Sequence, residues 1–192
     1  MIYKKNKLKI DGFDVSSLGR KYKTPIYCYS LKKIKDNIQN LNNHFKKINP
    51  LICYAVKANT NLGILKEIKN HNLGADVVSV GELMKALRAG IKPQKIVFSG
   101  VGKTATEIEY AVRKNILLIN AESKSEILEI EKIAKRKKKV VNIGIRLNPN
   151  TDAETLSQIS TGKKENKFGV TEKPFLELVK HTKNLNISIL NV

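Results

Sequence analysis

Lys57 is the side chain whose position in this sequence best suits covalent chemistry. It follows an apolar stretch at residues 51–56 that we predict to be a strand, within the segment YAVKAN at 54–59. Burying a lysine costs free energy, and a desolvated lysine has a lowered pKa that leaves its amine neutral and nucleophilic. Such an amine can form a Schiff base with a carbonyl compound. The spacing alone fits equally well a lysine that reaches solvent at the end of its strand.

Two more charged residues are predicted to lie near the ends of strands. Asp76 lies in the apolar stretch 75–78, and Arg146 lies in the stretch 140–147. The carboxyl ends of parallel strands share one edge of a sheet, where ligands bind, so both side chains are candidates for a site with Lys57. Either one could instead belong to a structural ion pair.

The segment from Ser99 to Thr104 resembles the end of a phosphate-binding loop, but the full signature is missing. That signature requires a glycine five residues before Gly102, where this sequence has Val97. We therefore interpret the segment as a turn that leads into a capped helix.

No metal site is predicted from the histidines and cysteines. His44, His71 and His181 have no partner at metal-ligand spacing, and Cys28 and Cys53 are too isolated for a metal site or a disulfide framework. No stretch approaches the roughly 20 apolar residues of a membrane span, and the basic N-terminus leads into no apolar signal segment. We expect a cytoplasmic protein with reduced thiols and no membrane partner.

The elements that must position these residues alternate between strand and helix. Strands are predicted at 26–29, 51–56, 75–78, 95–98, 116–119, 140–147 and 187–192. Amphipathic helices are predicted between them, among them 105–114, 124–137 and 172–182. This alternation requires an α/β fold with a largely parallel sheet, either doubly wound or a (β/α) barrel.

Three of the predicted helices begin with the same signature, a hydroxyl residue followed three positions later by glutamate. The pairs are Ser79 with Glu82, Thr104 with Glu107 and Ser123 with Glu126. In a capping box the hydroxyl accepts a backbone N–H at the helix start, and the carboxylate accepts the N–H of the cap residue itself. The signature therefore predicts where these helices begin.

The strong positive charge does not by itself indicate a nucleic-acid partner. The 192 residues carry a formal net charge of +19, but only five of the 36 basic residues are arginine and the excess is spread along the chain. Proteins that read bases usually carry clusters of arginine and aromatic side chains, which are missing here. We expect a solvated basic surface and no nucleic-acid binding.

Several segments resemble those of the fold-type III pyridoxal-phosphate decarboxylases. They are YAVKAN at 54–59, which resembles the cofactor-lysine motif, GADVVSVGEL at 74–83, FSGVGKT at 98–104, INAES at 119–123 and the lead-in strand TPIYCYS at 24–30. The most specific is the segment 146–170, which is similar to a long loop of the diaminopimelate decarboxylase family. It contains Asp152-Ala153, Ser160-Thr161-Gly162 and Lys167-Phe168-Gly169.

The resemblance implies a TIM-type (β/α)₈ barrel of the alanine racemase-like fold, with a β-domain built from both chain ends. It implies that Lys57 carries pyridoxal 5'-phosphate through its amine, and that Asp76 and Arg146 occupy cofactor-binding positions. The implied substrate is meso-diaminopimelate, and the implied product is L-lysine. The family also implies a homodimer.

Two departures from the family pattern affect these expectations. Leu156 follows Thr155 where the family usually has histidine, so any polar role of that position is lost. The sequence also supplies six of the eight barrel strands, and the C-terminal β-domain is absent. We therefore expect an N-terminal fragment that is inactive alone, with 1–30 as a lead-in segment that belongs with the missing β-domain and 31–192 as a partial barrel.

Other functions remain open at this stage. A decayed barrel could act as a non-catalytic interaction protein, because an unclosed sheet has open edges that pair with other chains. A related fold-type III decarboxylase for another basic amino acid would carry the same lysine motif. We expect both faces of the open sheet to be apolar.

Overall fold

The computed structural model describes residues 2–4, 6–148, 168–182 and 186–189. The chain forms two compact units, Met1–Pro50 and Leu51–Val192. Leu156 and the residues around it in the predicted long loop lie outside the described residues.

The first unit contains a small antiparallel sheet that the sequence analysis missed. Its strands are β1 (Ile2–Lys4), β2 (Lys7–Ile10) and β3 (Phe13–Asp14), and its helices are α1 (Val15–Tyr22) and α2 (Leu31–Phe45). The turn from β2 to β3 is Asp11-Gly12, with φ of 47° and 89°. Asp-Gly is a common hairpin dipeptide, so a sequence signal was available. The strand predicted at 26–29 is wrong, because those residues form no strand.

The second unit is built around a six-stranded parallel sheet. Its strands are β4 (Cys53–Ala55), β5 (Gly74–Val77), β6 (Ile96–Phe98), β7 (Leu118–Ala121), β8 (Val141–Ile145) and β9 (Ile187–Ile189). Its helices are α3 (Leu62–Asn70), α4 (Val80–Arg88), α5 (Ala105–Lys114), α6 (Lys124–Lys137) and α7 (Glu172–His181). Within the described part of the chain, no helix is long and apolar enough to cross a membrane.

The order of the strands distinguishes between the two architectures that the sequence left open. The six strands are neighbours in chain order from β4 to β9, and each pair is parallel. A doubly wound sheet reverses its strand order at a switch point, whereas a (β/α) barrel adds each strand beside the last. The sheet therefore has the winding of a barrel, and the predicted α/β fold is confirmed.

One face of this sheet forms the core. Its fully buried side chains are Ala75, Val77, Ile96, Phe98, Ile119, Ala121 and Ile143. The helices contribute buried Leu65, Leu83, Ile108, Ile127, Ile130 and Ile133. Burying a large aliphatic side chain contributes about 1.5–3 kcal/mol, so this layer is the main favourable term for the unit.

The opposite face of the sheet carries several polar side chains. The strand pairing places Asp76, Ser99, Asn120, Asn142 and Ser188 on it, and all of them are half-buried. The expectation that both faces are apolar is therefore wrong. The physical reason is that only one face packs under helices, so the other can retain polar side chains that reach solvent or a ligand.

The predicted capping box is complete at one helix and altered at two. At α5 the Thr104 hydroxyl accepts the Glu107 N–H, and the Glu107 carboxylate accepts the Thr104 N–H at 3.0 Å. At α4 and α6 the hydroxyls also cap, but the carboxylates accept the N–H of the preceding residue, at 2.9 Å from Val78 and 3.2 Å from Glu122.

The difference follows from the backbone of the cap residue. Thr104 has φ −75°, whereas Ser79 and Ser123 are fully extended, with φ −154° and −157°. Where the cap is extended, the N–H that reaches the glutamate is that of the residue before it. The carboxylates of α4 and α6 therefore hold the last residues of the strand-to-helix loops as well as the helix starts.

Glu107 provides a test of this capping. It accepts hydrogen bonds from the backbone N–H groups of Thr104 and, at 3.2 Å, Val80. The bond from Thr104 is the largest cause that holds the pKa of Glu107 below its usual value, while partial burial opposes it. A depressed carboxyl pKa adds stability above the unfolded-state pKa of about 4.5, and this stability is lost as pH falls through the folded pKa.

We predict that Glu107→Gln lowers the free energy of unfolding at pH 7 and flattens its decline between about pH 5 and pH 3. Urea unfolding at several pH values measures both effects. The control is Glu177→Gln, which removes an exposed carboxylate from α7. Identical pH profiles for Glu107→Gln and the wild type would contradict the role of the carboxylate.

Candidate functional site

Lys57 lies just beyond the carboxyl end of β4, in a single 3₁₀ turn formed by Val56–Ala58. The turn is closed by a hydrogen bond from the Asn59 N–H to the Val56 carbonyl at 3.0 Å, and the Tyr54 hydroxyl donates to the Asn59 carbonyl at 3.2 Å. Lys57 itself is exposed. Lys57 therefore reaches solvent at the end of its strand, and its role as a Schiff-base amine stays a prediction.

Asp76 lies on the next strand and is part of a polar chain across the sheet. Its position is paired in register with Ala55, two residues before Lys57. Asp76 Oδ1 accepts the Ser99 hydroxyl at 2.5 Å, and Ser99 Oγ accepts the Asn120 amide at 3.0 Å. The chain links the carboxyl ends of β5, β6 and β7.

Asn120 was missed by the sequence analysis, and Ser99 was considered only as part of a loop. The available signal was that each residue follows directly on a predicted apolar strand. Gly144 on β8 is paired in register with Asn120, and a Cβ atom at Gly144 would overlap the Asn120 carboxamide oxygen. Glycine at this position therefore leaves the space that the amide occupies.

Arg146 follows the end of β8 and pairs with a glutamate that the sequence analysis did not consider. Its Nη1 atom donates to Glu122 Oε1 at 3.0 Å. The Arg146 side chain is 43% exposed, whereas the Glu122 side chain is 7% exposed. The ring of Phe168 lies 5.5 Å from the guanidinium carbon.

The three predicted site residues share one edge of the sheet but are not directly bonded. Across the described ranges, no hydrogen bond or ion pair joins Lys57, Asp76 and Arg146 to one another. Arg146 forms an ion pair with Glu122, and its place at a cofactor-binding position stays a prediction. Asp76 is held by a neutral hydroxyl instead.

The Lys103 ammonium is committed to protein acceptors and has no donor left for a phosphate. Its side chain is 1% exposed, and its ammonium donates to the carbonyls of Gly100 and Asn120 and to Glu126 Oε1, at 2.6, 2.7 and 2.6 Å. An ammonium group has three donors, so all are used. The interpretation as a turn before a capped helix is confirmed, and Lys103 ties that turn to the strand beside it.

Neither a disulfide nor a metal-ligand cluster occurs among the described residues. Cys28 and Cys53 are both free. Burial raises the pKa of the Cys53 thiol, and the negative charge of Asp76 raises it further, so the thiol is neutral at pH 7. No group of His, Cys, Asp and Glu that could hold a metal ion occurs among the residues that the structure describes.

The arrangement suits a ligand with a carbonyl group and a polar or anionic periphery. A primary amine that is reachable from solvent can condense with an aldehyde. The guanidinium of Arg146 makes one recorded hydrogen bond within the described part of the chain, and an arginine has five N–H donors. Donors therefore remain for an oxygen atom of a ligand between the strand ends.

The sequence matches the protein family described as "Pyridoxal-dependent decarboxylase, pyridoxal binding domain" over residues 31–192. Among curated proteins it is similar to diaminopimelate decarboxylase of Helicobacter pylori strain J99, with 54% identity over 166 residues. That alignment covers 86% of this chain and 41% of the relative. The chain thus spans less than half the length of the curated relatives it matches.

The chain is also similar to solved structures of diaminopimelate decarboxylases. Diaminopimelate decarboxylase from Helicobacter pylori complexed with L-lysine has a TM-score of 0.88 and 49% identity, over 92% of this chain and 45% of that one. The enzyme from M. jannaschii in co-complex with L-lysine has a TM-score of 0.89 and 35% identity, over 97% and 45% of the two chains.

Gly144 provides a test of the polar chain. We predict that Gly144→Ala displaces the Asn120 amide, breaks its bond to Ser99 and destabilises the unit by about 1–3 kcal/mol, the usual cost of overpacking. The matched control is Gly81→Ala in α4, where a Cβ atom would make only an ordinary contact with Ser79. Alanine in a helix is favoured over glycine, so this control should be neutral or stabilising.

Chemical denaturation of both variants measures the difference. Equal stability of Gly144→Ala and the wild type would show that Asn120 does not need the space above Gly144.

Proposed function

The chain belongs to the pyridoxal-dependent decarboxylase family, and on that premise we propose that it forms the cofactor-binding part of a diaminopimelate decarboxylase. The observation that carries the proposal is the exposed amine of Lys57 at the carboxyl edge of a barrel-type sheet. Ligands in such barrels bind at this edge. In the proposed reaction, meso-diaminopimelate loses one carboxylate as carbon dioxide, a proton takes its place, and L-lysine remains.

The residues at the edge fit pyridoxal phosphate by their chemistry. The aldehyde of the cofactor requires a reachable amine, which Lys57 supplies. Its anionic oxygens require N–H donors, and within the described residues Arg146 uses one of its five, in the bond to Glu122. When bound, pyridoxal phosphate supplies a ring that accepts the electron pair left by the departing carboxylate.

Each site residue then has a distinct proposed role. Lys57 holds the cofactor through its ε-amine. Asp76, oriented by the Ser99 hydroxyl near the end of β5, and Arg146, near the end of β8, have proposed cofactor-binding roles. The polar chain from Asp76 to Asn120 fixes the carboxylate, because each hydrogen bond restricts the next side chain.

The proposed substrate rests on the relatives. The proteins that match at 40–54% identity across most of this chain carry the name diaminopimelate decarboxylase. The structures from Helicobacter pylori and M. jannaschii hold L-lysine, which would be the product of the proposed reaction. This chain spans 41% of the length of the first relative, so the whole activity is part of the proposal.

Several expectations from the sequence stay predictions. They are the homodimer, the cytoplasmic location, the absence of a nucleic-acid partner, and the assignment of residues 1–30 to a β-domain. The family match begins at residue 31, at the first residue of α2.

We predict that Lys57 is the residue that binds the cofactor. The complete gene product is incubated with pyridoxal phosphate, reduced with borohydride and mapped by peptide mass spectrometry. The label is expected on Lys57 and is lost in Lys57→Arg, which keeps the positive charge but not the primary amine. Lys92→Arg, an exposed lysine in the loop after α4, is the control that retains the label. A label on another lysine would refute the assignment.

We predict that the complete gene product releases carbon dioxide from meso-diaminopimelate and forms L-lysine in equal amounts. The comparison substrates are L-ornithine, L-arginine and L-lysine, each assayed at the same concentration. Faster release from ornithine or arginine would assign the protein to another basic amino acid. No release from any of them, with Lys57 still labelled, would favour the non-catalytic interpretation. Lys57→Arg is expected to abolish the activity.

A further inference from the structure

Glu122 is the most buried carboxylate at this edge of the sheet among the described residues. Only one of its two carboxylate oxygens has a hydrogen-bond partner there. Its residue follows β7 directly, and its side chain is 7% exposed. One oxygen, Oε1, accepts the Arg146 guanidinium at 3.0 Å. The other, Oε2, is buried and has no hydrogen-bond partner among the described residues.

The Glu122–Arg146 pair is not expected to add much to the stability of the fold. A buried charge pair returns its desolvation cost only when the remaining lone pairs are also satisfied, and here one oxygen is not. A buried acceptor without a partner costs about 1–3 kcal/mol. The unsatisfied oxygen therefore indicates that the carboxylate serves another purpose than holding the fold together.

The backbone of Arg146 is fixed, but its side chain needs a contact to fix its orientation. Its backbone is fixed on both sides, since its N–H donates to the Ala121 carbonyl at 2.9 Å and its carbonyl accepts the Val170 N–H at 2.8 Å. Its guanidinium, however, stands on a long, flexible stem and is 43% exposed. Fixing such a side chain costs up to about 2 kcal/mol of conformational entropy, which a contact must offset.

Two groups fix the guanidinium from different directions. Glu122 Oε1 accepts a hydrogen bond from Nη1 of the guanidinium. The centroid of the Phe168 ring lies 5.5 Å from the guanidinium carbon. Gly169, next to Phe168, has φ +84°, and a Cβ atom there would press on the Arg146 carbonyl. The backbone at Gly169 and the carboxylate of Glu122 thus both act on Arg146.

We propose that Glu122 is a positioning residue that holds the Arg146 guanidinium in the orientation in which it binds the cofactor. This inference rests on the proposed function, because it requires Arg146 to contact pyridoxal phosphate. Glu122 acts through Arg146. Its charge keeps the guanidinium at the end of β8 and leaves the remaining N–H donors directed away from the carboxylate.

The test is a double-mutant cycle on cofactor affinity. The dissociation constant of pyridoxal phosphate is measured by absorbance titration of the complete gene product. The proteins compared are the wild type, the single variants Glu122→Gln, Glu122→Ala and Arg146→Ala, and the double variant that combines Glu122→Ala and Arg146→Ala. Glu129→Gln is the matched control, because it removes a carboxylate from the adjacent helix α6 whose recorded partner is Lys132.

We expect Glu122→Ala and Arg146→Ala each to raise the dissociation constant on the order of tenfold, as for the loss of a charge-assisted hydrogen bond. The double variant should bind no more weakly than Arg146→Ala, because Glu122 has nothing left to position. Glu122→Gln keeps the side-chain volume and should weaken binding less, without lowering the unfolding temperature. Glu129→Gln should match the wild type.

Three outcomes overturn the proposal. One is unchanged affinity in both Glu122 variants while Arg146→Ala binds weakly. Another is additive losses in the double variant, since Glu122 would then act independently. The third is unchanged affinity in Arg146→Ala. If Glu122→Ala does not fold, Glu122→Gln alone and in the Arg146→Ala background decides. A wild-type protein with no cofactor on Lys57 would instead contradict the proposed function.

Discussion

The buried layer between one face of the parallel sheet and its helices is the interaction on which the rest of the second unit depends. Buried side chains on the strands, such as Phe98, Ile119 and Ile143, and on the helices, such as Leu83, Ile108 and Ile130, are essentially without solvent contact. Because side chains alternate along a strand, this packing sets which residues face the other way. The polar side chains of the opposite face follow directly from that register.

A second constraint acts at the carboxyl ends of the strands. There the chain must turn into a helix, and the N–H groups that the turn leaves without partners need acceptors. Glutamates near the helix starts supply them, and their exact targets depend on whether the cap residue is extended. Glu126 has an additional role, since it also neutralises the buried Lys103 and so joins two neighbouring strand ends.

The same edge combines structural and chemical roles in neighbouring residues. Lys103, after β6, is buried and uses all its donors on the protein, whereas Lys57, after β4, is exposed. Glu126 accepts bonds at both oxygens, whereas Glu122 leaves one buried oxygen without a partner among the described residues. In each pair the satisfied residue stabilises its loop. Of the less satisfied ones, Lys57 is the candidate for ligand chemistry and Glu122 is proposed to act through Arg146. The net charge of +19 plays no part in this contrast.

Local patterns in the sequence determined the α/β class, the order of most elements, the helix starts and the strand-end positions of Lys57, Asp76 and Arg146. These follow from periodicity and capping, which depend on residues close in the chain. The tertiary structure decided the barrel winding, the exposure of Lys57, the Asp76–Ser99–Asn120 chain and the pairing of Arg146 with Glu122. Those contacts join residues 21 to 24 positions apart. They depend on strand register and on which face the helices cover, and neither can be read from one segment alone.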